Sequence, residues 1–358
     1  MLRKNQWLGW VGTWAIAATA AHGAGFVEDF STDPLGGGRW VVLDGDAGRF
    51  VYDSASQSLR AHFDTGLPTA RLVRELGATV NQASSFRYTV DFEILSEGFF
   101  WDPDGYAQIA FGLMNRGTTG PDRAGGNEAL EKAYDILTFD YFPNISPFWG
   151  GPTLSPTLIN SPSAAGYWGS FNFEAGRETR LNDAGEMPLP LDTPLTAEVT
   201  YAYRGATGRA TLRVLQNETP LAINRWGGAD GDPPAWGGVD GDPTTISTTL
   251  DGVGFAHDAF GFLLWNDSWA LTSSVIADVV FHRVEMKIGG TWADFDYDGD
   301  VDLADFTVFQ GCFNGPNRPA PSGCVANVDA DVDGDVDLTD FGAFQQCFNG
   351  PNRPPACE

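Results

Sequence analysis

The stretch that decides the fold reads Phe86-Arg-Tyr-Thr-Val-Asp-Phe-Glu-Ile94, in which apolar and polar residues alternate without a break. Successive side chains of a β-strand point to opposite faces of a sheet, so a period of two places all the apolar side chains on one face. A helix would scatter the same side chains around its circumference. The stretch is therefore predicted to be a half-buried β-strand that covers a hydrophobic core.

Similar runs recur on both sides of this strand, separated by clusters of Gly, Pro, Asn and Asp that are typical of turns. They cover residues 49–52, 58–63, 106–114, 134–142, 195–204, 209–216, 252–265 and 276–287. One short helix is predicted at residues 127–132. Many strands and few helices predict a mainly β fold, in which residues 24–290 form a single two-sheet sandwich or jelly roll.

The composition limits the classes of partner. The chain has 358 residues, with 21 Lys and Arg against 47 Asp and Glu, and a formal net charge of -26. Nucleic acids and anionic membranes would be repelled by such a protein, so neither is an expected partner. With 12 Trp and 25 Phe, the chain has enough large apolar side chains to bury a core.

The amino-terminal segment has the pattern of an export signal. Arg3 and Lys4 precede a short apolar run at residues 7–20, and the small residues that follow offer a cleavage site before Ala24. Residues 1–23 are therefore predicted to be a signal peptide, and no other segment has membrane-spanning length. We expect a secreted protein, released or held non-covalently at the cell surface.

The strongest pattern is a repeat near the carboxyl end. Asp294-Phe-Asp-Tyr-Asp-Gly-Asp-Val-Asp-Leu-Ala-Asp305 is followed 35 residues later by Asp329-Ala-Asp-Val-Asp-Gly-Asp-Val-Asp-Leu-Thr-Asp340. Both copies continue into Cys-Phe-Asn-Gly-Pro-Asn-Arg-Pro, which starts at Cys312 and again at Cys347. Residues 291–358 are therefore predicted to be a duplicated domain.

Each copy has the pattern of a twelve-residue calcium loop, with Asp at positions 1, 3, 5, 9 and 12 and Gly at position 6. Position 7 offers a backbone carbonyl, and Val301 and Val336 at position 8 can face inward and pair the two loops. An acidic solvated linker is the alternative interpretation. The predicted metal-binding residues are Asp294, Asp296, Asp298, Asp300, Asp302 and Asp305, with Asp329, Asp331, Asp333, Asp335, Asp337 and Asp340.

A helix is predicted after each loop, because apolar residues recur there at three- and four-residue steps. They are Leu303, Phe306, Phe309 and Phe313, then Leu338, Phe341, Phe344 and Phe348. Glycines and prolines before each loop leave no room for the entering helix of an ordinary EF-hand.

Residues 294–358 resemble a type I dockerin, a small α-helical module with two calcium loops, each followed by one helix. The resemblance implies two bound calcium ions, docking onto a cohesin of a scaffold or cell surface, and a carrier that handles polysaccharides. In cellulosomal dockerins, loop positions 10 and 11 often carry a Ser-Thr-type recognition pair, whereas this chain has Leu303-Ala304 and Leu338-Thr339. The cysteines and the repeated Asn-Gly-Pro-Asn-Arg-Pro turn also depart from the common pattern.

All four cysteines lie in this domain, at Cys312, Cys324, Cys347 and Cys357. In an exported protein an even number favours two disulfides, and the spacings are unlike those of zinc ribbons. We predict Cys312–Cys324 and Cys347–Cys357, because each pair brackets the same turn. A bond from Cys312 to Cys347 across the two helices is the competing arrangement.

Residues 24–290 resemble the concanavalin A-like, laminin-G-like jelly rolls of secreted bacterial proteins. The resemblance lies in Glu28-Asp-Phe-Ser-Thr-Asp-Pro followed by Trp40, then Phe111-Gly-Leu-Met, Asp251-Gly-Val-Gly-Phe and Ala277-Asp-Val-Val-Phe. It implies one of three activities, namely carbohydrate binding, glycoside hydrolysis or polysaccharide cleavage by a lyase.

Two partial patterns of the sequence resemble the catalytic sites of such enzymes. Jelly-roll glucanases place carboxylates on one strand, and Asp91 and Glu93 share a strand face here, although the first Glu of that pattern is missing. A solvated strand face is the alternative interpretation. The lyase pattern is also incomplete, because Ala110 stands where its His is expected.

Carbohydrate binding is predicted from aromatic residues in turn-rich segments, since sugar rings stack on aromatic faces. The proposed residues are Trp101, Trp149, Trp226, Trp236 and Trp269. Tryptophans within strands, Trp40 and Trp265, are assigned to the core.

Together these patterns predict a carbohydrate-binding component of an extracellular polysaccharide-degrading or surface assembly. The alternatives are an enzyme that cleaves O-glycosyl bonds of polysaccharides, and a structural or adhesive surface protein.

Overall fold

The structure is a computed structural model. It describes residues 24–96, 107–120, 135–143, 153–159, 169–170, 172–173, 190–204, 207–221, 223–224, 246–249, 254–266, 275–289, 291–321, 324, 328–331, 333–353 and 355–357. The predicted signal peptide, the helix predicted at 127–132 and the five proposed sugar-binding tryptophans lie outside these residues.

Nine of the described strands form one antiparallel sheet, called sheet A. They are β1 (Ala24–Glu28), β3 (Phe50–Asp53), β4 (Ser58–Asp64), β6 (Ser85–Ile94), β12 (Leu195–Arg204), β13 (Thr207–Gln216), β14 (Thr219–Pro220), β16 (Ile246–Thr249) and β18 (Ile276–Gly289). The strand order is β14-β13-β12-β6-β18-β4-β3, with β1 paired to β18 and β16 to β13.

Nine further described strands form sheet B. They are β2 (Val41–Asp44), β5 (Ala70–Asn81), β7 (Ala107–Met114), β8 (Ile136–Phe142), β9 (Thr153–Ile159), β10 (Gly169–Ser170), β11 (Asn172–Phe173), β15 (Ile223–Asn224) and β17 (Ala256–Asn266). The order is β15-β11-β9-β8-β7-β17-β5-β2, with β10 paired to β9. Every predicted strand has a counterpart, so the mainly β, two-sheet prediction is confirmed.

The main core lies between the two sheets. On β6 the alternating residues Phe86, Tyr88, Val90, Phe92 and Ile94 are all fully buried, which confirms the face predicted for this strand. Aromatic rings from the two sheets meet across the core. The ring centroid of Phe92 lies 4.9 Å from that of Phe111, a distance at which such pairs add stability beyond the area they bury.

A buried carboxylate joins the two sheets at one end of β1. Glu28 is 3% exposed, and its Oε2 accepts hydrogen bonds from Trp40 Nε1 at 3.0 Å and from Arg74 Nη1 at 2.8 Å. Arg39 Nε donates to the same oxygen at 3.2 Å. Trp40 is buried, as predicted, and stacks on Phe262 of sheet B at 4.9 Å. One carboxylate therefore fixes β1, β5 and the segment between them.

His257 of β17 is a buried titratable residue with an apolar environment. It is fully buried, and its ring lies parallel to that of Phe255, with the centroids 5.1 Å apart. Neither ring nitrogen has a hydrogen-bond partner among the described residues. Burial lowers the pKa of His257 to about 3, so the imidazole is neutral in the folded chain.

Three short helices accompany the strands in the described residues. A 3-10 helix, Ala47–Arg49, precedes β3, and α1 (Leu303–Cys312) and α2 (Leu338–Cys347) follow the acidic loops, as predicted. Phe295, Phe309 and Phe344 belong to a separate small core of this carboxy-terminal part. Within the described residues, neither α-helix has the length and apolar character needed to cross a membrane.

Candidate metal centre in the carboxy-terminal repeat

Each acidic loop folds back on itself at the glycine of position 6. Gly299 and Gly334 have φ angles of 96° and 97°, in a region that favours glycine because it has no Cβ. The carboxylate at position 1 holds the turn. Asp294 Oδ2 accepts the N–H of Gly299 at 3.0 Å, and Asp329 Oδ2 accepts that of Gly334 at 3.1 Å.

The carboxylate at position 12 connects both ends of its loop to the following helix. Asp305 Oδ1 accepts the N–H of Phe295 at 2.6 Å, while Asp305 Oδ2 accepts that of Asp302 at 2.8 Å. Asp302 in turn caps α1 by accepting the N–H of Ala304 at 2.7 Å. Asp340 and Asp337 form the same capping box on α2. Each helix start therefore depends on loop geometry.

Four groups of three Asp side chains place carboxylate oxygens within 4.8 Å of one another. They are Asp294 with Asp296 and Asp305, Asp300 with Asp302 and Asp305, Asp329 with Asp331 and Asp333, and Asp335 with Asp337 and Asp340. Every predicted metal-binding residue except Asp298 belongs to one of these groups. Asp298 Oδ1 instead accepts the N–H of Asp300 at 3.1 Å.

The carboxylates of both loops fit a hard cation. The Oδ1 atoms of Asp296, Asp300 and Asp335 are buried and accept no hydrogen bond from a described residue. Buried acceptors without partners are costly, and a cation with oxygen ligands, such as calcium, would satisfy them.

The electrostatics of the first loop agree with this fit. Burial, with the negative charges of Asp305 and Asp296, raises the pKa of Asp294 to about 7. Burial likewise raises the pKa of Asp305 to about 6, with a contribution from Asp296. The crowded carboxylates thus lack a compensating positive charge within the loop.

The residues at position 8 make backbone contacts that the sequence does not predict. Val301 and Val336 are fully buried and face inward, as predicted. Their backbone carbonyls, however, accept hydrogen bonds from the Asn-Gly-Pro-Asn-Arg-Pro turns. Val301 O accepts from Asn349 N, and Val336 O from Asn314 N. The two loops are therefore connected through the turns that follow the helices.

Both predicted disulfides are present. Cys312 is bonded to Cys324 and Cys347 to Cys357, with Cα atoms 5.4 and 4.4 Å apart. Each bond closes one copy of the repeated turn onto the end of its helix, so the competing arrangement across the helices does not occur.

Two cations of sheet A contact the acidic loops. Lys287 Nζ donates to the backbone carbonyl of Asp296 at 3.1 Å. Arg209 Nη1 lies 3.9 Å from Asp329 Oδ2. The sandwich thus partly balances the charge of both loops, an arrangement for which the sequence offered no pattern.

Asp91 and Glu93 lie on the side of β6 opposite the core. Asp91 Oδ1 accepts a hydrogen bond from Thr196 Oγ1 at 2.7 Å, and His282 Nε2 lies 3.7 Å from Glu93 Oε2. The two residues are partly exposed. Their proposed catalytic role stays a prediction.

The outer face of sheet B, turned away from the main core, combines polar and apolar side chains. Gln108, Thr138, Asp140 and Thr157 are buried there beside Trp265, which is 1% exposed. Thr138 Oγ1 donates to Asp140 Oδ1 at 2.6 Å. The burial of Trp265 agrees with its predicted core role. The sequence marks Gln108 only as part of the incomplete lyase pattern, and it does not single out Thr138, Asp140 or Thr157, because each lies in a strand of almost continuous burial.

No family model matches the chain, and no curated protein matches it. Among solved structures it is similar to the seed lectin of Lotus tetragonolobus, at 12% identity and a TM-score of 0.38, covering 74% of this chain and 97% of the lectin. Lectin UEA-II complexed with galactose matches at 10% identity and a TM-score of 0.41, covering 74% of this chain and 98% of the lectin. The legume lectin-like domain from Entamoeba histolytica matches at 8% identity and a TM-score of 0.39, covering 73% of this chain and 95% of that domain. The fold described above rests on the strand pairings themselves.

Proposed function

We propose that this protein is a secreted, two-part component of an extracellular assembly. Residues 1–23 direct export, residues 24–290 bind a glycan, and residues 291–358 act as a calcium-dependent dockerin that attaches the chain to a cohesin-type scaffold or surface protein. The observation that carries the proposal is the pair of matching acidic loops, each followed by a single capped helix.

Calcium would be held by carboxylates of positions 1, 3, 5, 9 and 12 and by the carbonyl of position 7. When bound, the ion supplies positive charge to oxygen atoms that otherwise repel one another. The buried Oδ1 of Asp296 and the raised pKa of Asp294 support this assignment.

The docking surface would include the first residue of each helix. Leu303 is 69% exposed and Leu338 is 73% exposed, and both occupy loop position 10. Phe313 and Phe348, at the other ends of the helices, are 42% and 39% exposed. Large apolar side chains exposed at equivalent places of a repeat are suited to a protein partner.

We expect the full chain to bind about two calcium ions, and Asp298→Ala to reduce this to about one. Calorimetric titration measures the stoichiometry, and circular dichroism follows the two helices as a chelator removes the ion. Asp333→Ala is the matched control for the second loop. Helices that persist in excess chelator, together with no heat of calcium binding, would exclude a calcium-dependent tail.

Glycan binding by the sandwich is proposed from the tryptophans of its turn-rich segments, because aromatic faces stack on sugar rings. They are Trp101, Trp149, Trp226, Trp236 and Trp269. The net charge of -26 disfavours uronate-rich or sulfated polymers, so we propose a neutral or cationic glycan.

We expect the chain to bind insoluble neutral or cationic polysaccharide without cleaving it, and Trp101→Ala or Trp269→Ala to weaken retention in a pull-down assay. Released sugar ends are measured in the same samples. Release that Asp91→Ala or Glu93→Ala abolishes would establish the hydrolase alternative. If the chain is not retained and no sugar ends are released, the structural alternative is favoured.

A further inference from the structure

The turn that follows α1 contacts the acidic loop of the second repeat. The backbone N–H groups of Asn314 and Gly315 both donate to Val336 O at 3.0 Å. Three residues along the chain, Asn317 N donates to Asp335 Oδ2. One turn therefore binds positions 7 and 8 of the opposite loop through three hydrogen bonds.

The turn that follows α2 makes the same contacts in the other direction. Asn349 N and Gly350 N donate to Val301 O at 3.1 Å, and Asn352 N donates to Asp300 Oδ2. The exchange is reciprocal, so each repeat supplies a turn to the loop of the other.

The two turns have the same backbone conformation. Gly315 and Gly350 both have φ of 82°, and Asn317 and Asn352 both have φ of 57°, a left-handed region that glycine and asparagine adopt most readily. The disulfide of each repeat closes the chain around its turn. The duplicated Asn-Gly-Pro-Asn-Arg-Pro sequence is thus explained by one repeated contact.

We infer that each disulfide-closed turn is a structural part of the calcium site in the opposite repeat, so that the two sites act as one unit. The inference rests on the proposed calcium binding. Asp300 and Asp335, placed above among the predicted ligands, are assigned here as positioning residues, since the Oδ2 of each holds the opposite turn. The carbonyl at position 7, the expected ligand, is fixed by the same contact.

The physical reason is that position 7 lies at the tightest part of the loop. Asp300 and Asp335 are each 6% exposed, so a lost hydrogen-bond donor is not readily replaced by water. Opening one disulfide widens the conformational range of its turn, and the loop that loses these contacts belongs to the other repeat.

The test measures each calcium site separately in the full chain. Asp298→Ala leaves the second loop as the binding site, and Asp333→Ala leaves the first. In the Asp298→Ala chain, Cys312→Ser with Cys324→Ser weakens calcium binding by about tenfold or more, while Cys347→Ser with Cys357→Ser, the matched control, has a smaller effect. In the Asp333→Ala chain, Cys347→Ser with Cys357→Ser causes the larger loss of calcium affinity. Calorimetry supplies the affinities.

A second measurement leaves every cysteine in place. Coupling between two events is reciprocal, so calcium bound to the Asp298→Ala chain protects Cys312–Cys324 from a graded thiol buffer more than it protects Cys347–Cys357. Mass spectrometry after alkylation distinguishes the two bonds. The inference is wrong if calcium protects only the disulfide of the repeat whose loop holds the ion. It is also wrong if removing that same disulfide causes the larger loss of calcium affinity. Calcium binding itself stands in both cases. If the unmodified chain does not bind calcium, both the proposed calcium binding and this inference are wrong.

Discussion

Glu28→Ala is expected to lower the free energy of unfolding by about 3–5 kcal/mol, the usual cost of breaking a buried ion pair. The substitution leaves the guanidinium of Arg74 without the carboxylate that now lies 2.8 Å away. Burial already lowers the pKa of Arg74, so this charge is partly desolvated. Trp40 Nε1 also loses its acceptor. Chemical denaturation in saturating calcium measures the effect on the sandwich.

Glu75→Ala is the matched control, because Glu75 pairs with Arg116 on the surface, where the two side chains are 65% and 39% exposed. Exposed pairs contribute about 0–1 kcal/mol. A Glu28→Ala chain that loses no more stability than this control would show that the buried cluster does not hold the sheets together.

The second large effect is on acid stability. The pKa of His257 falls to about 3 in the folded chain, against about 6.5 for an unperturbed histidine. Between these values the unfolded chain binds a proton that the folded chain excludes, so folding stability decreases as the pH falls from about 6.5 toward 3. At pH 4.5 this one residue costs roughly 3 kcal/mol relative to neutral pH.

His257→Leu removes that loss while keeping a side chain of similar volume. We expect the free energy of unfolding of the variant to depend less steeply on pH below 6.5, and its stability at pH 7 to be at least that of the parent chain. His282→Leu, at a side chain that is 37% exposed, controls for the loss of a histidine. Parallel pH profiles for the parent and His257→Leu chains would mean that His257 does not remain neutral.

The sandwich could be predicted from sequence where one face of a strand is buried and the other is solvated, as in β6. It could not where both faces are covered. In β5, Arg71 is only 7% exposed because Asp44 pairs with it at 2.6 Å, so a polar residue interrupts the apolar pattern without reaching solvent. In β9, Pro156 lies within the strand opposite Phe139, and proline is a usual reason to reject a strand.

The candidate metal centre could be predicted further than the sandwich, because a twelve-residue loop contains its own ligands in one contiguous stretch. The disulfides followed from the duplicated turn. What the sequence could not indicate is that Asn317 would contact Asp335 rather than its own loop. That contact depends on how the two repeats pack together. The turn has the same sequence in both repeats, so the local sequence does not tell which loop each turn contacts.

The direct run of β18 into the first acidic loop has a mechanical consequence. β18 pairs with β1, β4 and β6, and its register with β6 extends to Gly289, shortly before Asp294. A pull on an anchored tail therefore acts along an interior strand. Antiparallel hydrogen bonds lie perpendicular to their strands, so this load shears many of them together instead of opening them one after another.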